Sequence, residues 1–179
     1  MHNRAVAVAA AAAVAVITLA GCSGSSEKHA AFGEAVTVDS YDKGPLSVTV
    51  ERIDRGSSSD LNVLKNAAKY AGKTPYYLHY KLTRTESGKG SSGTNFVVSD
   101  GDRELTHLTI MGSFDPTGDW RDPLRYRAFD KCEGADGFEK TGPGQSVEGC
   151  AVYVAEAGTG APKTVKWVTR RDAQATWEQ

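Results

Sequence analysis

Apolar and polar residues alternate with a period of two along much of the chain, the mark of half-buried β-strands. Leu46, Val48 and Val50 share a parity with Arg52, and Ser47, Thr49 and Glu51 lie between them. Ile53 breaks the alternation, which predicts a bulge or a strand end at that point. Tyr76, Leu78, Tyr80 and Leu82 alternate with Tyr77, His79, Lys81 and Thr83 in the clearest strand of the chain. Shorter strand signals fall at residues 36–38, 95–99, 104–111, 124–129, 147–155 and 164–171. Asp100-Gly101 predicts a hairpin turn between the runs 95–99 and 104–111. Leu61, Leu64 and Ala68 recur at helical spacing, with Ser59 or Asp60 to cap the start and Gly72 to close the end. That spacing predicts one short helix at about residues 60–71. The stretch 112–123 holds Gly112, Pro116, Gly118 and Pro123, and 132–144 is rich in glycine, so both are expected as irregular loops. About seven or eight short strands with frequent turns predict an all-β antiparallel sandwich, because a parallel sheet needs a helix between most strands.

The pattern changes at the N-terminus. Residues 1–21 contain 16 hydrophobic residues and a single charge, Arg4. Residues 6–19 form a small-apolar run interrupted by Thr18 alone. A short positive region followed by such a run is the layout of an export signal, and it is short for a bilayer span of about 20 residues. Without Arg4, residues 22–179 carry 20 Lys and Arg against 22 Asp and Glu, a balance of −2. That near-neutral charge supplies no pull toward nucleic acid. Residues 23–33 begin as a small polar run and read as a tether, reaching at most about 35–40 Å when extended.

Three cysteines in an exported chain leave one to explain. Cys132 and Cys150 enclose 17 residues. In an oxidising compartment they are expected to pair, stabilising the fold by about 3 kcal/mol in the chain-entropy picture. Neither a redox-active spacing nor a tetrahedral zinc set accompanies them. The third, Cys22, closes the segment Leu19-Ala20-Gly21-Cys22. This segment resembles the lipobox of bacterial lipoproteins. The resemblance implies a diacylglyceryl thioether on Cys22, cleavage just before it, and acyl chains such as palmitate holding the protein to the cell membrane. Two chains on one residue suffice for stable anchoring.

Further segments resemble immunoglobulin-like lipoproteins of actinobacteria, which are similar in outline to small secreted immunoglobulin-like antigens of mycobacteria. They are Gly33-Glu34-Ala35-Val36, Gly72-Lys73-Thr74-Pro75-Tyr76-Tyr77 leading into the aromatic strand, and the run from Gly142-Pro143-Gly144 to Cys150. Thr83-Arg84-Thr85 departs from the asparagine–glycine turn usual at that place. The resemblance implies an immunoglobulin-like sandwich on the extracytoplasmic face of a bacterial cell membrane. It carries no catalytic residues to transfer.

Candidate chemistry is sparse. Only His79 and His107 fall in the folded region; paired strands would set them on one outer face, either as a metal site or as part of a solvated sheet. No serine stands in a nucleophile elbow. Asp130, Glu133, Asp136 and Glu139 form an acidic loop without the spacing of an EF-hand, so a solvated loop is favoured over calcium binding. The loop 114–123 carries Phe114, Trp120 and Arg121, residue types of which Trp and Arg are enriched at binding hot spots. Trp120 either is an exposed anchor or folds back over one open end of the sandwich. Trp167 is expected in the core, and Trp177 either tucks the tail against the domain or stays exposed.

The expected organisation is a signal peptide at 1–21, a lipidated cysteine with its tether at 22–33, and an immunoglobulin-like domain at 34–179. The expected role is a membrane-anchored, extracytoplasmic binding module, probed through Phe114, Trp120 and Arg121 and the Cys132–Cys150 loop. Its partner would be an envelope protein or ligand. No cofactor, metal or nucleic acid is expected, and the protein is expected to be monomeric and not an enzyme. The alternatives are a small envelope hydrolase with an unmarked active site and a purely structural lipoprotein.

Overall fold

The computed structural model describes residues 27–40, 44–64, 66–86, 95–110, 129–169 and 172–179, with the backbone of 113–114 and 126–127. Two sheets face each other. The larger is built from β2 (Ala35–Ser40), β3 (Gly44–Arg55), β4 (Thr74–Arg84), β6 (Thr106–Leu108) and β9 (Ser146–Ala155), in the order β2-β3-β4-β9-β6. The smaller holds β1 (Lys28–Ala31), β5 (Phe96–Ser99), β10 (Thr164–Thr169) and β11 (Asp172–Glu178), in the order β1-β11-β10-β5. A two-residue pair, β7 (Ser113–Phe114) with β8 (Tyr126–Arg127), stands apart. The architecture is the immunoglobulin-like β-sandwich that the alternation and the resemblance led us to expect.

The core follows from the parity of the strands. Leu46, Val48 and Val50 of β3 and Leu78, Tyr80 and Leu82 of β4 are buried and face Phe96, Val98, Val165, Trp167, Ala175 and Trp177 of the other sheet. The break expected near Ile53 is a bulge: the β3–β4 register shifts between Val50 and Arg52. The extra residue, Glu51, returns Ile53 to the core side, opposite Leu78. Trp167 and Trp177 are fully buried, and each indole N–H is satisfied across the sandwich. Trp167 donates to Asp39 O at 3.3 Å and Trp177 to Glu34 O at 3.0 Å.

Four local expectations change. The single helix at 60–71 is instead two 3-10 turns, Ser58–Val63 and Ala67–Tyr70. Ser57 is the cap, Asp60 closes a capping box on it, and Asn66 at φ 68° separates the turns. With Leu61 as its one fully buried side chain among the described residues, the segment lacks the apolar stripe that sustains a longer helix. The hairpin expected around Asp100-Gly101 survives only as the bridge Ser99–Glu104. Beyond Leu105, which is buried, the chain changes sheets: β5 pairs with β10 and β6 with β9. Residues 28–31, read as part of a tether, instead pair in parallel with β11 as an edge strand. The tail is a strand, so the last hairpin is β10–β11 and the strand read as 164–171 ends at Thr169.

The long loop after β8 crosses from one face of the larger sheet to the other. Phe129 packs on the outer face against Tyr77, with ring centroids 6.2 Å apart. Ala135 and Phe138 are buried on the inner side. Between them Cys150 N donates to Glu133 O at 2.7 Å, which pairs the part of β9 that β6 leaves uncovered. The Arg84 guanidinium donates to Thr141 O and secures the far end of the loop.

This crossing requires Gly149. A Cβ there would lie 2.6 Å from the Tyr80 ring and 2.8 Å from Ala135 N. Gly149→Ala is therefore expected to destabilise the fold by about 1–3 kcal/mol, as overpacking does. Gly142→Ala, whose added methyl meets only the Gln145 side chain at 3.6 Å, is the near-neutral comparison. Urea unfolding of the two variants checks this; equal midpoints would refute it.

Candidate functional site

The outer face of the smaller sheet carries a polar groove. Register fixes its floor: His29, Thr176, Lys166 and Val97 form one row across the four strands. Glu178, Thr164 and Ser99 form the next row, and Glu104 bridges to Ser99. These side chains point outward because their neighbours Val98, Val165, Ala175 and Trp177 point into the core. Glu27 walls one end, and the turn holding Asp102 and Arg103 walls the other; the open volume is about 370 Å³.

The groove is organised by hydrogen bonds. Thr176, almost fully buried at 2% exposure, donates its hydroxyl to the Glu27 carboxylate. Lys166 Nζ lies 3.7 Å from the same carboxylate. The Thr176 hydroxyl, then Lys166, hold Glu27 below the ordinary carboxylate range against the opposing effect of burial. Ser99 and Thr164 share a hydrogen bond of 2.6 Å between their hydroxyls. The rim is set by Asp100, whose carboxylate accepts from the backbone N–H of Arg103, Asp102 and Gly160 at 2.8–3.0 Å. Those backbone donors, Arg103 first, pull its pKa down. Four acids, Glu27, Asp102, Glu104 and Glu178, share the lining with Lys166, Arg103 and His29. His29 on β1 and Ser99 on β5 are three strands apart, about 14 Å at the usual strand spacing.

A second polar cluster lies on the outer face of the larger sheet, beside the disulfide. Cys132 and Cys150 are bonded, with Cα atoms 5.1 Å apart. They pack with Tyr77, Phe129, Val152, Leu64, Leu108 and Ile110 in a small second core. At its border Tyr77 donates its phenol to Asp60 Oδ2 at 2.8 Å, Ser57 N donates to the same oxygen at 2.9 Å, and Lys131 Nζ is 3.4 Å from Oδ1. Burial and the Asp60 carboxylate push the Tyr77 phenol well above its ordinary pKa. Burial raises the Asp60 pKa, but the donors Ser57, Tyr77 and Lys131 outweigh it and hold Asp60 below its ordinary value. The cluster joins the 3-10 excursion, β4 and the disulfide loop, a bracing role.

The residues singled out from sequence divide as follows. Trp120 and Arg121 lie outside the described residues, as does Cys22. Phe114 is placed as backbone only, opposite Tyr126. His79 and His107 do not share a face. His79 stands opposite Cys150 on the outer side, whereas His107 pairs with Tyr153 and its ring lies 5.0 Å from that inward-facing ring. Their strands are also separated by β9. His79 Nε2 is 3.1 Å from Asp54 Oδ2 in an exposed pair, and burial foremost lowers its pKa. Glu133 serves the loop through its carbonyl, and among the described residues no three His, Cys, Asp or Glu side chains gather as a metal set. The groove went unread because half its floor is β1 and β11. The alternation Ala173, Ala175, Trp177 was the available signal for β11.

No protein-family model and no curated protein sequence matches this chain. Among solved structures, its fold is similar to that of MPT63, a secreted protein from Mycobacterium tuberculosis. The TM-score is 0.56 at 12% identity, over 87% of this chain and all of that one. At that identity the likeness concerns the fold.

Two outcomes follow. Replacing both Cys132 and Cys150 by serine is expected to cost about 2–4 kcal/mol in urea unfolding, and the native, unreduced parent should take up no thiol reagent at either position. A stability loss below about 1 kcal/mol would count against the brace. Asp60 makes a contribution that is fully present above the ordinary carboxylate range, near pH 4, and is lost as pH falls through its lower folded value. Asp60→Asn should therefore flatten the acid limb of the stability–pH curve; an unchanged limb would reject this.

Proposed function

We propose that this protein is an extracytoplasmic binding module, held to the membrane by a lipid on Cys22, with the groove on the smaller sheet as its ligand surface. The carrying observation is the groove itself. It sets hydroxyls and charges of both signs on a rigid sheet, walled at one end by Glu27 and at the other by the Asp100-braced turn. Side chains held by strand register present a fixed pattern at little entropic cost, which favours recognition. The reading as a binding protein and not an enzyme is supported by the spread of the groove's groups. Its histidine and its serine are too far apart to act as a base and nucleophile, which need hydrogen-bond reach of about 3 Å. The export signal and the secreted character of MPT63 support a location outside the cytoplasm. The lipobox supports attachment to the cell membrane.

The test uses the full chain in its own envelope, with a photo-cross-linking residue placed at Lys166, at Glu104 or at Glu148. The first two lie in the groove, and Glu148 is exposed on the other sheet. A common adduct at Lys166 and Glu104, absent at Glu148, is expected. Adducts of equal yield at all three positions, or none in the groove, would remove the groove from the proposal. Separately, Cys22→Ala should move the protein from the membrane to the soluble fraction, and persistence on membranes would discard the lipid anchor.

A further inference from the structure

The lining of the groove is unbalanced in charge. Glu27, Asp102, Glu104 and Glu178 stand against two permanent cations, Lys166 and Arg103. Each cation already has an acid of its own. Lys166 Nζ lies 3.7 Å from the Glu27 carboxylate, which also accepts the Thr176 hydroxyl. Arg103 sits at the rim against Asp100, which accepts its backbone N–H at 2.8 Å and attracts its guanidinium. Among the described residues no ion pair neutralises Asp102, Glu104 or Glu178. One further cation, Lys163, runs past the rim, where its stem would meet a Cβ on Gly101 at 3.9 Å. Even with Lys163 counted, the carboxylates left over outnumber the cations.

These acids are spread along the groove. Glu178, Thr164, Ser99 and Glu104 follow one another in register across the sheet. Three strand spacings put the Glu178 and Glu104 Cα atoms about 14 Å apart. Between them lie the Thr164 and Ser99 hydroxyls, 2.6 Å from each other. Asp102 shares the rim turn with Glu104. Spacing decides which cation fits. A calcium or magnesium ion needs several oxygens about 2.0–2.6 Å from one point. No three His, Cys, Asp or Glu side chains gather that way among the described residues. No Phe, Tyr or Trp of the described residues lines the groove, so it lacks the aromatic faces that hold quaternary ammonium groups. Primary and secondary ammonium groups donate hydrogen bonds, and carboxylates and hydroxyls accept them.

Resting on the groove as the ligand surface, we propose that its ligand is a linear aliphatic polyamine laid across the strands. One ammonium group sits at Glu178 and another at Glu104 and Asp102. The chain between them crosses Thr164 and Ser99, whose hydroxyls accept from a central secondary ammonium. Val97 offers apolar surface beside the methylenes. The open volume of about 370 Å³ lies at the small end of ligand pockets, which suits a short unbranched molecule. A single amine satisfies one end of the row and leaves the other unpaired, so two separated ammonium groups are the recognised feature. All three acids are exposed, which makes the binding sensitive to salt.

The experiment is a calorimetric titration of the full-length protein with spermidine at low salt, beside butylamine and magnesium chloride at matched ionic strength. Spermidine should bind more tightly than either. The double variant Glu104→Gln and Glu178→Gln should weaken it about fivefold or more, as the loss of two exposed charge pairs does. Glu148→Gln, exposed on the other sheet, should change it less than about twofold. Urea midpoints equal to the parent's confirm that the variants are folded. Spermidine that fails to bind, that is matched by butylamine or magnesium, or that weakens no more in the double variant than in Glu148→Gln overturns the polyamine. The cross-linking pattern separates that failure from a failure of the groove. Adducts that persist at Lys166 and Glu104 keep the groove with a ligand of another class, and their absence removes groove and polyamine together.

Discussion

Two indoles hold the sandwich together. Trp167 and Trp177 sit on neighbouring strands, point into the core, and are fully buried. Each donates its N–H to a carbonyl beside or within β2 of the opposite sheet. The pair therefore joins the hydrophobic and the polar requirements of a closed core in the same side chains. A buried indole N–H without a partner would cost about 1–3 kcal/mol. Meeting that requirement fixes how β2 lies over β10 and β11. Phe96 stacks edge-on against Trp167 at 5.0 Å, and Tyr80 packs on Phe96 at the same separation, so the lock continues through the core to β4.

From that lock follow both faces of the molecule. With Trp177 and Ala175 turned inward, Thr176 and Glu178 must turn outward, which lays down the groove floor. On the other sheet, Tyr80 and Leu78 inside require Tyr77 and His79 outside. Tyr77 is too large and apolar to be left in water, and the disulfide loop covers it with Phe129 and the Cys132–Cys150 bridge. The same loop then passes the β9 edge and sends Phe138 into the main core. One segment thus satisfies an outer apolar patch, an open strand edge and an open core, which explains why it is cross-linked. Among the described residues, the smaller sheet's outer face has no such cover. Most of its side chains are polar, and Thr176, Glu27 and Lys166, like Ser99 and Thr164, partner one another, so the face forms a groove.

Much of this was legible beforehand, and the pattern of success has a physical origin. Strands β3, β4, β9 and β10 were visible because Val, Ile, Leu and Tyr alternate in them, and the bulge near Ile53 was visible as a break in phase. The disulfide was visible from cysteine arithmetic. β11 escaped notice because alanine carries little strand preference. β1 escaped because Lys28-His29-Ala30-Ala31 has no alternation at all; its pairing with β11 is imposed from the far end of the chain. The expected hairpin at Asp100-Gly101 had a sound local turn. The two runs beside it nevertheless found better partners, β10 and β9, in different sheets.

The split runs along sequence distance. Composition and alternation decide which residues are buried, because burial depends on a residue and its near neighbours along the strand. They set the face of Tyr77, the core position of Trp167 and the expectation that Cys132 and Cys150 pair. Which strand lies beside which is decided by contacts between residues far apart in the chain, such as Lys28 with Ala175 and Thr164 with Ser99. Local pattern is the same whichever partner is chosen, so it cannot express that choice. The groove, the early start of β1 and the separation of His79 from His107 are all products of pairing, and they became visible only once the two sheets were assembled.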